Sequence, residues 1–171
     1  MAKKQASDSR NSAAQSRRKW PWIVLIIVIL LVLGGGYYHF THDVANQVPG
    51  NSYSYNNPTT KRKLYMTFAK TGNEVVVTQS KSQATKAAGS DSQFDSVWQK
   101  QSKSNGGAWR YKADGSKLTL AQMKTNNKVS QWQYNNVFAT SNKLTSHSFT
   151  YQIANAGQGN VKQKVTFTKI N

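Results

Sequence analysis

The sequence predicts a mainly β protein: a small antiparallel meander barrel with one short helix, preceded by a single N-terminal transmembrane helix. Three observations predict it. Residues 61–171 alternate apolar and polar side chains in short runs separated by turn formers, the period-two signature of half-buried strands. One stretch, 91–103, changes to helical spacing. Residues 20–40 contain no Asp, Glu, Lys or Arg, and a helix of about 20 residues spans roughly 30 Å, the thickness of a bilayer's hydrocarbon core.

Residues 1–19 are rich in Ser, Lys and Arg without apolar periodicity, so they are expected to form a disordered tail. The span follows over 20–40. Trp20 and Trp22 mark one interface, residues 23–33 are an unbroken run of Ile, Val and Leu, and Tyr37 and Tyr38 mark the other interface, where amphipathic rings prefer to lie. A cleavable signal peptide is the rival reading, because an apolar core of about 7–15 residues is its hallmark. No A-x-A follows the run, however, and the tyrosines extend the uncharged stretch to spanning length. An uncleaved anchor is therefore expected. Lys3, Lys4, Arg10, Arg17, Arg18 and Lys19 crowd its N-terminal side, whereas 41–60 has no Lys or Arg. The positive-inside rule then sets the tail in the cytoplasm and the C-terminal domain outside the cell membrane. Gly34, Gly35 and Gly36 lack the G-x-x-x-G spacing that brings two helices together.

Residues 41–60, with Pro49-Gly50 and Asn57-Pro58, read as a linker in which Tyr53 and Tyr55 form a short strand or lie on the membrane surface. The domain, 61–171, opens with a hairpin. Leu64, Met66 and Phe68 share one face, Thr71-Gly72-Asn73 turns the chain, and EVVVTQS returns. A polar loop is expected over 80–91. Phe94, Val97, Trp98 and Gln101 then recur at helical spacing, with Ser92 and Asp95 resembling a capping box. AWRYK and KLTLAQM form a hairpin about Asp114-Gly115. VSQWQY, a segment around Val137 and Phe138, KLTSHSFTYQI and VKQKVTFTKI complete about seven or eight strands. Such a set closes into a barrel or packs as a two-layer sandwich, because exposed edges are a liability. The barrel is the expected form.

The runs LYMTFAKTGNEVVVTQ, GGAWRYKADGSKLTL and KVTFTKI resemble the small lipocalin-like domains of Gram-positive surface proteins. With the basic tail and span, the whole chain is similar to membrane-anchored proteins of lactobacilli. The resemblance implies a lipocalin-like barrel. The chain departs from that pattern in the insertion over 80–106 and in lacking G-x-W on the first strand.

Composition narrows the chemistry. No cysteine is present, which removes disulfides, thiolate metal sites, cysteine nucleophiles and lipobox acylation together. His39 and His42 with Asp43 are the only grouping suggestive of a metal, and no second pair completes a tetrahedral site. His147 has no G-x-S-x-G serine to activate. Asp91 and Asp95 read as helix N-terminal residues and Asp114 as a turn former, not as paired catalytic acids. A non-enzymatic protein without metal or cofactor is expected.

The formal charge is +17. The tail holds six of 23 bases and one of six acids, leaving the rest of the chain with 17 against five. Such a surface attracts polyanions. The expected partners are the membrane, through the span, and an anionic cell-wall polymer or the membrane face; no specific nucleic acid is expected. The candidate contact residues are Trp98, Trp109, Arg110, Lys112, Trp132, Lys162 and Lys164, rings that stack beside cations that attract. Two other readings stand beside this one: a carrier holding an apolar molecule between Trp109, Trp132 and Phe149, and an accessory subunit of a membrane complex.

Overall fold

The computed structural model describes residues 26–32, 43–57, 60–104, 107–124 and 128–170. Residues 26–32 are helical and exposed. Among the described residues, no helix is long and apolar enough to cross a membrane. The rest of the expected span, like the tail, lies outside the described residues. The chain divides into two compact units, Met1–Tyr38 and His39–Asn171, and every strand among the described residues lies in the second.

The elements of this second unit are α1 (Val44–Gln47), β1 (Ser52–Asn56), β2 (Lys63–Phe68), β3 (Val75–Thr78), α2 (Lys81–Gly89), α3 (Asp91–Ser102), β4 (Ala108–Asp114), β5 (Lys117–Met123), β6 (Val129–Asn135), β7 (Phe138–Ala139), β8 (Lys143–Ser146), β9 (Ser148–Ile153), β10 (Gly157–Val161) and β11 (Val165–Lys169). All strand pairs are antiparallel, in two sheets. Sheet A has the order β3-β2-β1-β11-β8-β7, and sheet B the order β10-β9-β6-β5-β4. The mainly β antiparallel class is as the alternation predicts.

Among the described residues no closed barrel is formed, since the strands divide into two sheets. A single bridge between Glu74 and Arg110 joins β3 to β4, with Tyr111 N donating to Asn73 O at 2.7 Å. Beyond that corner, the edge of β3 is covered by a side chain. Gln101 Oε1 accepts from Val77 N at 3.2 Å, and its Nε2 donates to Val77 O. The amide continues the ladder where a strand would otherwise pair. Two runs expected as single strands are each divided between the sheets. KLTSHSFTYQI breaks at His147 into β8 and β9, and VKQKVTFTKI breaks at 162–164 into β10 and β11. Buried Ser146 secures the first switch, its Oγ 2.6 Å from Asn135 O and 2.7 Å from Ser148 O.

The linker expected over 41–60 is also corrected. β1 lies inside sheet A between β2 and β11, and Tyr53 and Tyr55 are core residues at 1% and 5% exposure. Polar composition hid this strand because its second face, Ser52 and Ser54, is buried too. Ser52 Oγ donates to Thr67 Oγ1 at 3.0 Å, and Thr67 Oγ1 donates to Ala84 O on α2 at 3.2 Å.

The loop expected over 80–91 is largely helix α2. Its Ala84 and Ala87 are buried, and Ser80 caps it by accepting from Gln83 N at 3.4 Å. The helix expected over 91–103 forms as α3, but its cap is Ser90, accepting from Gln93 N at 3.3 Å, rather than Ser92.

The result is three layers. Sheets A and B face each other across a core of apolar and aromatic side chains, including Tyr55, Phe68, Leu118, Tyr134 and Phe167. Helices α2 and α3 cover the outer face of sheet A through a smaller cluster of Ala69, Val76, Ala87 and Phe94, with Val97 and Trp98 against it, whereas Val44 of α1 belongs to the main core. Tyr55 stacks on Phe167 at 4.9 Å, and Tyr134 meets Phe167 edge-on at 5.0 Å. Such pairs contribute about 0.5–1.5 kcal/mol beyond their buried area. Among the described residues, no buried side-chain polar atom lacks a hydrogen-bond partner.

Candidate functional site

Strand alternation sends Trp109, Tyr111 and Ala113 of β4 inward and Arg110, Lys112 and Asp114 outward. β6 sends Trp132 and Tyr134 inward in the same way. Trp109 and Trp132 come together, stacked with centroids 5.4 Å apart and planes inclined by 20°. Both are half-buried. They form one wall of a cleft between the sheets, with Leu120, Tyr134 and Phe149; the facing wall is Tyr55, Asn57, Leu64 and Met66 of sheet A. Gly107 fixes the start of β4 beside this wall. Its φ of +68° suits glycine, and a Cβ there would strike the Met123 carbonyl.

The cleft encloses about 90 Å³. Small-molecule sites are typically about 300–1,000 Å³, so the space between Trp109, Trp132 and Phe149 is narrow for a carried apolar molecule.

The other candidates are dispersed. Trp98 lies on α3 within the helix–sheet cluster and donates from Nε1 to Trp109 O at 3.1 Å, so it braces β4 from outside the cleft. Arg110 and Lys112 face away from Trp109 and meet acids. Arg110 Nη1 donates to Asn73 Oδ1 at 2.9 Å and lies 3.9 Å from Glu74, and Lys112 lies 3.4 Å from Asp114. Such exposed pairs contribute at most about 1 kcal/mol, but they offset the local positive field. Lys162 and Lys164 are exposed, in the connection between β10 and β11 rather than on a strand face.

That connection gains its importance from its neighbours. β11 pairs with β1 through Tyr55–Phe167, and β1 pairs with β2 through Asn56–Lys63. The register therefore brings Lys162 and Lys164, just before β11, to the same end of sheet A as Lys61, Arg62 and Lys63. All five are exposed. Lys63 Nζ lies 5.7 Å from the centre of the Tyr65 ring. The run Lys61–Lys63 also sits between cleft-lining Asn57 and Leu64.

The five acids after residue 40 gather toward the opposite end of sheet A, where β1 begins. Asp43 caps α1, accepting from Ala45 N at 2.8 Å, and Val44 N donates to Gly115 O beside Asp114. Glu74 lies in the β2–β3 turn. Asp91 and Asp95 line a depression with Gly50 and Lys70. This end also holds Lys70, Lys117, Lys143 and Lys169, so it is mixed in charge. Among the described residues, the end at Lys61–Lys63 carries cations alone.

Sequence reasoning missed Lys61–Arg62–Lys63 as contact residues. The signal was three consecutive bases, but with 41–60 read as linker they stood at a domain border, not at a hairpin tip. His39 and His42 lie outside the described residues. Among those described, no group of three or more His, Cys, Asp or Glu could hold a metal ion. Comparison of the chain with protein-family models, curated proteins and solved structures finds no match.

Proposed function

We propose that this is a membrane-anchored, extracytoplasmic binding protein whose β domain holds an anionic cell-envelope polymer at its purely basic end. The observation that carries the reading is the charge separation along sheet A, with Lys61, Arg62, Lys63, Lys162 and Lys164 at one end and every acid of the domain toward the other. A field of one sign, undiluted by carboxylates, attracts polyanions and raises their rate of association. The chain enters the domain at Asp43, at the mixed end. The anchor and its orientation rest on the apolar run over 20–40 and its one-sided basic flank, in keeping with the resemblance to anchored surface proteins of lactobacilli.

Retention of the compact fragment 39–171 on purified cell wall tests this. Binding is expected to fall steeply with salt, because exposed charges farther apart than about 10 Å are largely screened at 0.1 M ionic strength. It is also expected to fall on wall stripped of anionic polymer. Salt-independent retention, or equal retention on stripped wall, contradicts the reading.

A further inference from the structure

We infer that the mouth of the cleft between Trp109–Trp132 and Leu64 is a subsite for a sugar ring within a phosphodiester-linked glycan, the ring lying against the tryptophans rather than enclosed, a step that rests on the polyanion-binding reading above. Three observations converge on it. The first is aromatic. Trp109 and Trp132 are stacked and half-buried, and Tyr151 pairs with Trp132 on the next strand. Large rings left at an opening between sheets provide apolar faces and edges for the C–H surface of a saccharide.

The second is polar. Asn57 is the one polar side chain among the residues that line the cleft, which also include the Tyr55 and Tyr134 phenols. An amide in the lining suits a hydroxyl-rich ligand better than a hydrocarbon.

The third is the position of the cations. Lys61, Arg62 and Lys63 connect the cleft-lining Asn57 and Leu64 on sheet A. Across the opening, exposed Lys124 and Lys128 flank the β5–β6 turn, at the end of sheet B that holds Trp109, where Ala108 pairs with Met123 and Met123 with Val129. Positive charge therefore borders the aromatic cleft from both sheets. A sugar with a phosphodiester on either side matches that arrangement: ring against the mouth of the cleft, one phosphate to each lip. Phosphate oxygens take charge-assisted hydrogen bonds from both arginine and lysine.

The test compares four probes on the fragment 39–171: phosphomannan, neutral mannan, inorganic polyphosphate and oligothymidylate. Phosphomannan is expected to bind most tightly and to shift tryptophan emission. Polyphosphate is expected to bind more weakly and leave emission unchanged, and mannan to bind weakly or not at all. Trp132→Leu should weaken phosphomannan by about tenfold while sparing polyphosphate. The emission shift of the unaltered protein provides a reading that needs no core substitution. Lys61→Gln/Arg62→Gln/Lys63→Gln, confined to exposed side chains, should weaken both polyanions.

Equal affinity for phosphomannan and polyphosphate, with neither altered by Trp132→Leu nor shifting emission, overturns the sugar subsite and leaves polyanion binding standing. Tighter binding of oligothymidylate with the same Trp132 dependence overturns it in favour of single-stranded nucleic acid. Failure of every polyanion to bind overturns both readings.

Discussion

Three buried tyrosines, Tyr53 and Tyr55 of sheet A and Tyr134 of sheet B, line the junction between the sheets, and their titration reports on it. Burial pushes Tyr53 up to about 12. Burial also raises Tyr55, against the lowering effect of its hydrogen bond to Tyr134. Tyr134 rises well above the ordinary value of 10.0, first through burial and then through the neighbouring Tyr55. The unfolded chain gives up these protons at lower pH than the folded one. Their contribution to stability is therefore complete below pH 10.0 and is lost as pH climbs through about 12. Tyrosinate absorbance and circular dichroism followed together should show these phenols ionising only as native structure disappears. At Gln101, replacement by Leu leaves the Val77 N–H and C=O without that amide and should cost about 1–3 kcal/mol in urea unfolding. The pairing of Trp109 with Trp132 was legible in outline, since both alternate inward on runs that read as strands. The separation of Arg110 and Lys112 from that site was legible by the same parity, once a strand's faces are assigned.

At the scale of elements, the strands with clear alternation were readable, and those buried on both faces or carrying small side chains were not. β1 has serines on its second face, where α2 and Thr67 supply hydroxyl and carbonyl partners in place of apolar contact. α2 shows no apolar stripe because the side chains it buries, Ala84 and Ala87, are only methyl groups. The breaks at His147 and 162–164 are fixed by a change of partner sheet, which no local pattern encodes. Phe94 is the largest buried member of the helix–sheet cluster at 6% exposure. Phe94→Ala should destabilise the domain by about 3–5 kcal/mol in urea unfolding. The main core lies on the other side of sheet A, so the stacked Trp109–Trp132 pair should keep its near-ultraviolet signal in the folded variant.

At the scale of the whole molecule, the net charge was plain from composition, but its direction was not. Direction depends on β1 lying beside β11, a neighbour more than a hundred residues away, as the contact of Ser54 with Thr168 across 114 residues illustrates. That pairing brings the Lys61–Lys63 loop and the 162–164 connection together and leaves the acids at the other end. If this polarity governs binding, equal losses of charge at the two ends must have unequal effects. The decisive measurement is salt-dependent retention of fragment 39–171 on purified anionic cell wall, for two variants matched in charge. Lys61→Gln/Arg62→Gln/Lys63→Gln should weaken retention by at least about tenfold, each cation near an anionic surface contributing about 1 kcal/mol. Lys70→Gln/Lys117→Gln/Lys143→Gln, at the mixed end, should leave it nearly unchanged. Equal weakening by the two variants would contradict a directed basic site, because binding would then follow net charge alone.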